Sequence, residues 1–242
     1  MNKGKLVIGT CLVIVSWLLV IVPAGASGGP APQRPGAKPV LTEKLFLIDD
    51  FESGSIKSPR EWWTFDIEKA GAVSNSDLKS GDEKVASQVG NYSLVLSGLA
   101  KNWYAGGCGT YLAKENQDLV RYSFFQLDVY GNGPDSGTLK VELLDDDNKN
   151  WQVEQDPAKS YAPVHDDKFV HDIRVDWNGW KRLTIPLADF VDDNPGVGDD
   201  IWNPQQLAGS GGLLQMQFVC VANTDKGKVN FNIDNISLTN GE

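Results

Sequence analysis

The sequence predicts an all-β protein, a two-sheet antiparallel β-sandwich, on three observations. Short runs rich in aliphatic and aromatic residues recur between Leu45 and Leu238, a composition that suits strands rather than helices. Clusters of Gly, Asn, Asp and Pro separate them, as turns between strands require. Helical periodicity is nearly absent and no strand-helix-strand alternation occurs, which leaves sheets packed face to face.

Composition divides the chain before any strand begins. In residues 1–26, Lys3 and Lys5 precede an apolar run from Leu6 to Val22, and Pro23 leads into Ala24-Gly25-Ala26. This is the pattern of an export signal peptide with a small-residue cleavage site. The run is also barely long enough to span a bilayer, so a retained N-terminal membrane tether stays open. Either way the expected location is secreted, periplasmic or at the cell surface. Residues 27–44 begin "SGGPAPQRPGAKP" and carry too little apolar surface to fold, which makes them a linker. Residues 45–242 have the length of one domain with a sizeable core.

The predicted strands follow in order: Leu45–Ile48, Tyr92–Leu96, Tyr122–Tyr130, Leu139–Leu144, Lys181–Leu187, Leu213–Val221 and Val229–Leu238. The connection from Asp145 to Val175 is long and polar, so one further strand is expected around Trp151–Val153, followed by a mobile excursion containing Pro157 and Pro163. Alternation assigns faces. In "SFFQLDVYG" Phe125, Leu127 and Val129 share one face, leaving Phe124, Gln126, Asp128 and Tyr130 on the other. In "LLQMQFVCV" Leu214, Met216, Phe218 and Cys220 turn to the core and Gln215 and Gln217 turn away. In "VNFNIDNISL" the alternation of Val229, Phe231 and Ile233 is broken by Asp234 and Asn235 before Ile236 and Leu238 resume it. A carboxylate beside a packed face must be solvated, capped or held by a cation.

The chain has 22 basic and 32 acidic side chains, and without Lys3 and Lys5 the balance is 20 against 32, a net charge of −12. Nucleic acid and anionic lipid both need basic patches, so neither is an expected partner. A neutral ligand or a divalent cation suits the balance better. Cys108 and Cys220 remain after the signal; in an exported protein they either pair or stay as two buried thiols. No Cys/His spacing of a zinc site exists.

Five motifs, "LIDDFESG", "GNYSLVLSG", "FFQLDVYGNG", "GWKRLTIPLADF" and "VNFNIDNISL" in that order, resemble the family 11 carbohydrate-binding modules and their relatives with a galactose-binding-like jelly roll. A more distant likeness is to the complex I intermediate-associated domain. The resemblance spans nearly all of Leu45–Leu238, and the insert from Tyr161 to Asp172 departs from it. It implies a sandwich whose concave sheet binds polysaccharide, usually β-glucan, without cleaving it. It also implies a structural calcium held at one edge by Glu52 and Asp234. The physical logic stands beside that: a hard cation takes several oxygen ligands at once and can tie the two chain ends together. The alternative is that Asp234 and Asn235 cap a β-bulge with water as partner.

An enzyme is not expected. A glycosidase needs two carboxylates facing each other across a groove, and Asp128, Glu142 and Glu154 fall in no paired motif. No serine nucleophile elbow is present. His165 and His171, with Asp166 and Asp172, leave a metal site open beside the reading as ordinary loop histidines. Of the many aromatic residues, Trp180 reads as core, while Trp103 and Tyr104 either rim a groove or lock the loop "NWYAGGCG". The expected carbohydrate-binding set is Asp128, Tyr130, Trp151, Gln215 and Gln217, because rings cover the C–H faces of a sugar and fixed amides or carboxylates bond its hydroxyls. The expectation is thus a monomeric, non-catalytic polysaccharide-binding module with a structural calcium. The alternative is an envelope adaptor on the same fold without sugar binding, recognised by an Asp156–Asp172 segment that covers the open sheet face.

Overall fold

The computed structural model describes residues 44–112, 119–159, 161–205 and 211–241. The expected signal peptide or anchor, and all of the linker but Lys44, lie outside the described residues. The strands are β1 (Leu45–Asp49), β2 (Trp62–Phe65), β3 (Lys69–Ser74), β4 (Tyr92–Leu99), β5 (Tyr104–Tyr111), β6 (Phe124–Asn132), β7 (Gly137–Asp146), β8 (Gln155–Asp156), β9 (Ala162–Pro163), β10 (Lys168–Val175), β11 (Asn178–Pro186), β12 (Val191–Asp192), β13 (Gly212–Val221) and β14 (Lys228–Thr239), with a helix α1 (Glu83–Ala86). One sheet has the order β11-β6-β14-β4-β3, with β1 also on β14, and the other the order β12-β10-β7-β13-β5-β2. Their ladders are antiparallel, so the fold is the jelly-roll sandwich the sequence predicts. Among the described residues no helix is long and apolar enough to cross a membrane.

The core fills the space between the sheets. Leu94, Leu96, Leu127, Val129, Phe231 and Ile233 come from the β6/β14/β4 side, and Cys108, Val141, Met216 and Phe218 from the other. Trp62 stacks on Phe218 with ring centroids 5.7 Å apart. Its Nε1 donates to Asp49 Oδ2 at 2.8 Å, while Asp49 Oδ1 accepts the Phe51 backbone N–H at 2.9 Å. That satisfies a buried carboxylate with two donors. Cys108 and Cys220 are two free buried thiols, so the disulfide alternative does not hold.

A second, smaller core sits on the outer face of the β6/β11 side. Val85 and Val89 pack there on Trp180, with Leu78 and Tyr130 against them. Asp82 caps α1, accepting from the Lys84 and Val85 backbone N–H groups, which satisfies donors a helix N-terminus otherwise leaves unpaired.

The break in β14 is a change of partner. Residues 228–233 pair with β4 and residues 236–239 with β1, and the ladder to β6 shifts register between Asp234 and Ser237. The bulge re-phases the strand, so Ile233 and Ile236, three apart, both face the core.

Several expected elements are corrected. The glycine-rich stretch read as a loop is β5, inside the sheet between β13 and β2. Trp151–Val153 is not a strand; Asp146 holds the turn there, its carboxylate accepting from the Asn150 and Trp151 backbone N–H groups. The strands of this region are β10 and the short hairpin β8–β9. In β13 a register shift between Leu213 and Gln215 puts Leu213, not Leu214, into the main core.

Candidate functional site

The outer face of the β10-β7-β13-β5-β2 sheet carries a groove of about 480 Å³ lined by Trp63, Phe65, Asp66, Tyr104, Glu142, Gln155, Tyr161, Lys168, Gln217 and Val219. Register explains why these residues meet. Trp63 lies opposite Gly109, Gly109 opposite Gln217, Gln217 opposite Glu142 and Glu142 opposite Val170. Cross-strand partners share a face, so one row runs across five strands, roughly 19 Å at about 4.8 Å per strand. The next row places Phe65 opposite Gly107 and Gly107 opposite Val219.

The two glycines shape the floor. A Cβ on Gly109 would stand 2.5 Å from the Trp63 ring, and one on Gly107 would stand 2.8 Å from the Phe65 ring. With no side chain at these two positions of β5, the β2 rings lie across the neighbouring strand. Trp63 also tilts against Tyr111 at a centroid distance of 4.8 Å. Polar groups stand at the other side. Lys168 Nζ lies 2.8 Å from Asp193 and 4.0 Å from Glu142. Burial pushes Glu142 above the usual carboxylate range, with Lys168 and Lys140 pulling it back down. The Tyr104 hydroxyl donates to Asp66 Oδ2 at 3.2 Å. Burial first, and Asp66 second, raise its pKa to about 12, so it stays a donor at neutral pH.

The structure divides the sequence-predicted sugar residues between the two sheets. Gln217 lines the groove, and Gln215 shares its strand but is buried. Asp128 and Tyr130 sit on β6 in the opposite sheet, so the four do not form one patch. Asp128 is fully buried; Arg182 grips it bidentately at 2.7 Å and 2.7 Å, and Asn235 Nδ2 donates to it at 2.8 Å. Tyr130 packs edge-on against Trp180, and its hydroxyl shares a 2.8 Å bond with Ser80. Trp151 is half-buried in the turn held by Asp146 and lies outside the groove lining. Trp63, Phe65, Glu142 and Tyr161 were missed as groove residues. The available signal was Trp-x-Phe in "WWTF" facing Gly-x-Gly in "GGCG", an aromatic pair opposite vacant positions. His171 lies on β10, its Nδ1 3.2 Å from the Asp189 carbonyl, and His165 lies before that strand.

Two places gather buried carboxylates. At the β14 bulge Asp234 is fully buried, and its Oδ1 accepts the Asn235 N–H at 2.8 Å. Its Oδ2 has no hydrogen-bond partner. Burial, with Asp128, Glu52 and Asp50 nearby, pushes it up to about 8. Glu52 accepts from Asn91 Nδ2 at 3.0 Å and from the Tyr92 N–H at 2.9 Å. A carboxylate has about four lone-pair sites, so this leaves capacity for a cation. The second place is where β7 ends and β10 begins. There one oxygen each from Asp145, Asp147 and Asp167 lies within 4.8 Å of the others, an arrangement that can hold a metal ion. Burial and neighbouring carboxylates push Asp145 up to about 8, Asp166 up to about 7 and Asp167 up to about 6.

No protein-family profile matches the chain, and no curated protein matches it. Among solved structures it is similar to the family 11 carbohydrate-binding module from Clostridium thermocellum in complex with a β-1,3-1,4-mixed-linked tetrasaccharide. Identity is 18%, with 81% of this chain and 95% of that one covered, at a TM-score of 0.47. It is similar to an exo-β-agarase at 12% identity, over 81% of this chain and 25% of that one, at a TM-score of 0.48. A likeness of the same order links it to the CBM22-2 xylan-binding domain of Paenibacillus barcinonensis Xyn10C, with 16% identity, coverage of 80% and 98%, and a TM-score of 0.40.

Proposed function

We propose that the chain is an exported, non-catalytic polysaccharide-binding module whose ligand lies in the groove on the outer face of the β10-β7-β13-β5-β2 sheet. The observation that carries the reading is the aromatic floor of Trp63 and Phe65 over Gly109 and Gly107, continued in register by Gln217 and Glu142. A neutral glycan presents flat C–H faces and a rim of hydroxyls; rings meet the first, while Gln217, Gln155, Glu142 and Lys168 meet the second. The Asp156–Asp172 segment supports the same reading, since its Tyr161 forms part of the groove wall beside Gln155. A β-glucan is the ligand class implied by the resemblance of the five strand motifs.

The reading includes a structural calcium on Asp234 and Glu52. The orphaned Asp234 Oδ2 supports it, because a buried oxygen without a donor suits a hard cation. Bound there, the ion would join the segment after β1 to β14. The test of the binding reading is affinity electrophoresis in native gels containing β-glucans, xylan or agarose. Retardation by at least one of them, reduced in Trp63→Ala, is expected. Unretarded migration in every gel would overturn it.

A further inference from the structure

The carboxylates of Asp145, Asp147 and Asp167 are each divided in function. One oxygen is used to hold the backbone: Asn203 N–H donates to Asp145 Oδ2 at 3.0 Å, Asp167 N–H to Asp147 Oδ2 at 3.0 Å, and Ile201 N–H to Asp167 Oδ2 at 3.1 Å. The other oxygen, Oδ1 in all three, is buried with no hydrogen-bond partner. Asp145 and Asp167 are both 0% exposed and Asp147 is partly buried, so these are unpartnered acceptors shielded from water. Among the described residues no lysine or arginine ion-pairs with any of the three. Carboxylates this close, shielded and without a cationic partner repel one another unless they take up protons or a positive charge sits among them. The loop that closes over them leaves no room for a side chain. A Cβ on Gly198 would fall 2.2 Å from both Asp147 Oδ2 and Asp167 Oδ1, and Gly198 has a φ of +79°.

We propose that Asp145, Asp147 and Asp167 bind a calcium-type divalent cation, and that this ion pins both ends of the 148–165 segment beside the groove. The donors are hard oxygens with no thiol or imidazole among them, which selects an alkaline-earth ion over zinc or copper. A calcium–oxygen distance of about 2.3–2.6 Å sets opposite ligands roughly 4.6–5.2 Å apart, so oxygens within 4.8 Å of one another fit around one ion. The backbone N–H donors fix the orientation of each carboxylate, as outer-shell bonds do at metal sites. Asp145 and Asp147 precede the segment and Asp167 follows it, while the segment itself supplies Gln155 and Tyr161 to the groove. The ion site stands on its own geometry; its influence on sugar affinity rests on the groove reading.

Calcium titration by calorimetry and trypsin digestion of the purified full chain, after chelator treatment, test both halves. Calcium is expected to slow cleavage after Lys149 and Lys159 at least tenfold, read by mass spectrometry, with magnesium at the same concentration failing to do so. The double variant Asp147→Asn/Asp167→Asn should bind one calcium fewer and lose the protection, whereas Asp234→Asn should keep it. If the double variant does not fold, Asp147→Asn alone should weaken calcium binding at this site at least tenfold. Cleavage unaffected by calcium, equal protection by magnesium, or unchanged calcium binding in the variants would overturn the proposal. Polysaccharide gels run on the same samples separate the two readings, since a chain that binds the ion but no glycan keeps the site and loses the groove.

Discussion

Trp63 offers a ring to the groove because nothing stands beneath it on Gly109, and Gln217 offers its amide one strand further on. Trp63→Ala should weaken glucan binding by about 1–2 kcal/mol, a factor of roughly 5–30, with little change in melting temperature. Tyr130→Ala should leave binding unchanged, since its ring packs on Trp180 in the opposite sheet; calorimetry on both variants checks the pair. Glu142 makes a different demand. Its pKa in the folded chain lies above the ordinary 4.5 because burial outweighs Lys168 and Lys140. A carboxyl raised by folding contributes stability that is full below its unfolded pKa and lost as pH rises through the folded one. Glu142→Gln removes that loss, so its melting temperature relative to wild type should climb from about pH 4.5 upward at saturating calcium. Parallel melting curves across that range would contradict the assignment.

At the scale of elements, β5 and the β6/β11 pair carry the opposite faces of the sandwich. Gly109→Ala places a Cβ against the Trp63 ring; the ring must shift, so binding should fall about as far as in Trp63→Ala while the sheet persists. On the other side, Arg182 of β11 neutralises the fully buried Asp128 of β6. Arg182→Met leaves that charge unpaired and should destabilise the fold by about 3 kcal/mol, measured by urea unfolding. The strands with long aliphatic runs, β4, β6, β7, β11, β13 and β14, were legible because burial on one face imposes alternation. β5 was not, because Gly107 and Gly109 erase the pattern on one face and glycine ordinarily signals a turn. β2 and β10 were hidden by brevity and by a charged outer face. Alternation assigns Asp128, Tyr130, Gln215 and Gln217 to faces but carries no information on strand partners, so it does not tell that β6 and β13 lie in different sheets. The β14 bulge was visible as a broken alternation, and its cause, the change of partner from β4 to β1, lies in contacts nearly two hundred residues apart in sequence.

For the whole molecule, the acidic balance and the buried carboxylates point the same way. A ligand bound only by the folded state adds stability through mass action, so chelation should lower the melting temperature of the wild type. Asp234→Ala should lose the share of that drop due to the edge site, and a melting curve indifferent to chelator would reduce Asp234 to a capping residue. The central claim, that the groove over Trp63 and Phe65 holds a polysaccharide chain, is tested most directly by affinity electrophoresis of four proteins side by side in β-glucan gels. Wild type and Tyr130→Ala should be retarded equally, and Trp63→Ala and Gln217→Ala should migrate faster, toward their position in gels without polysaccharide. Equal retardation of all four would place the ligand elsewhere, and retardation of none would contradict glucan binding by this sheet.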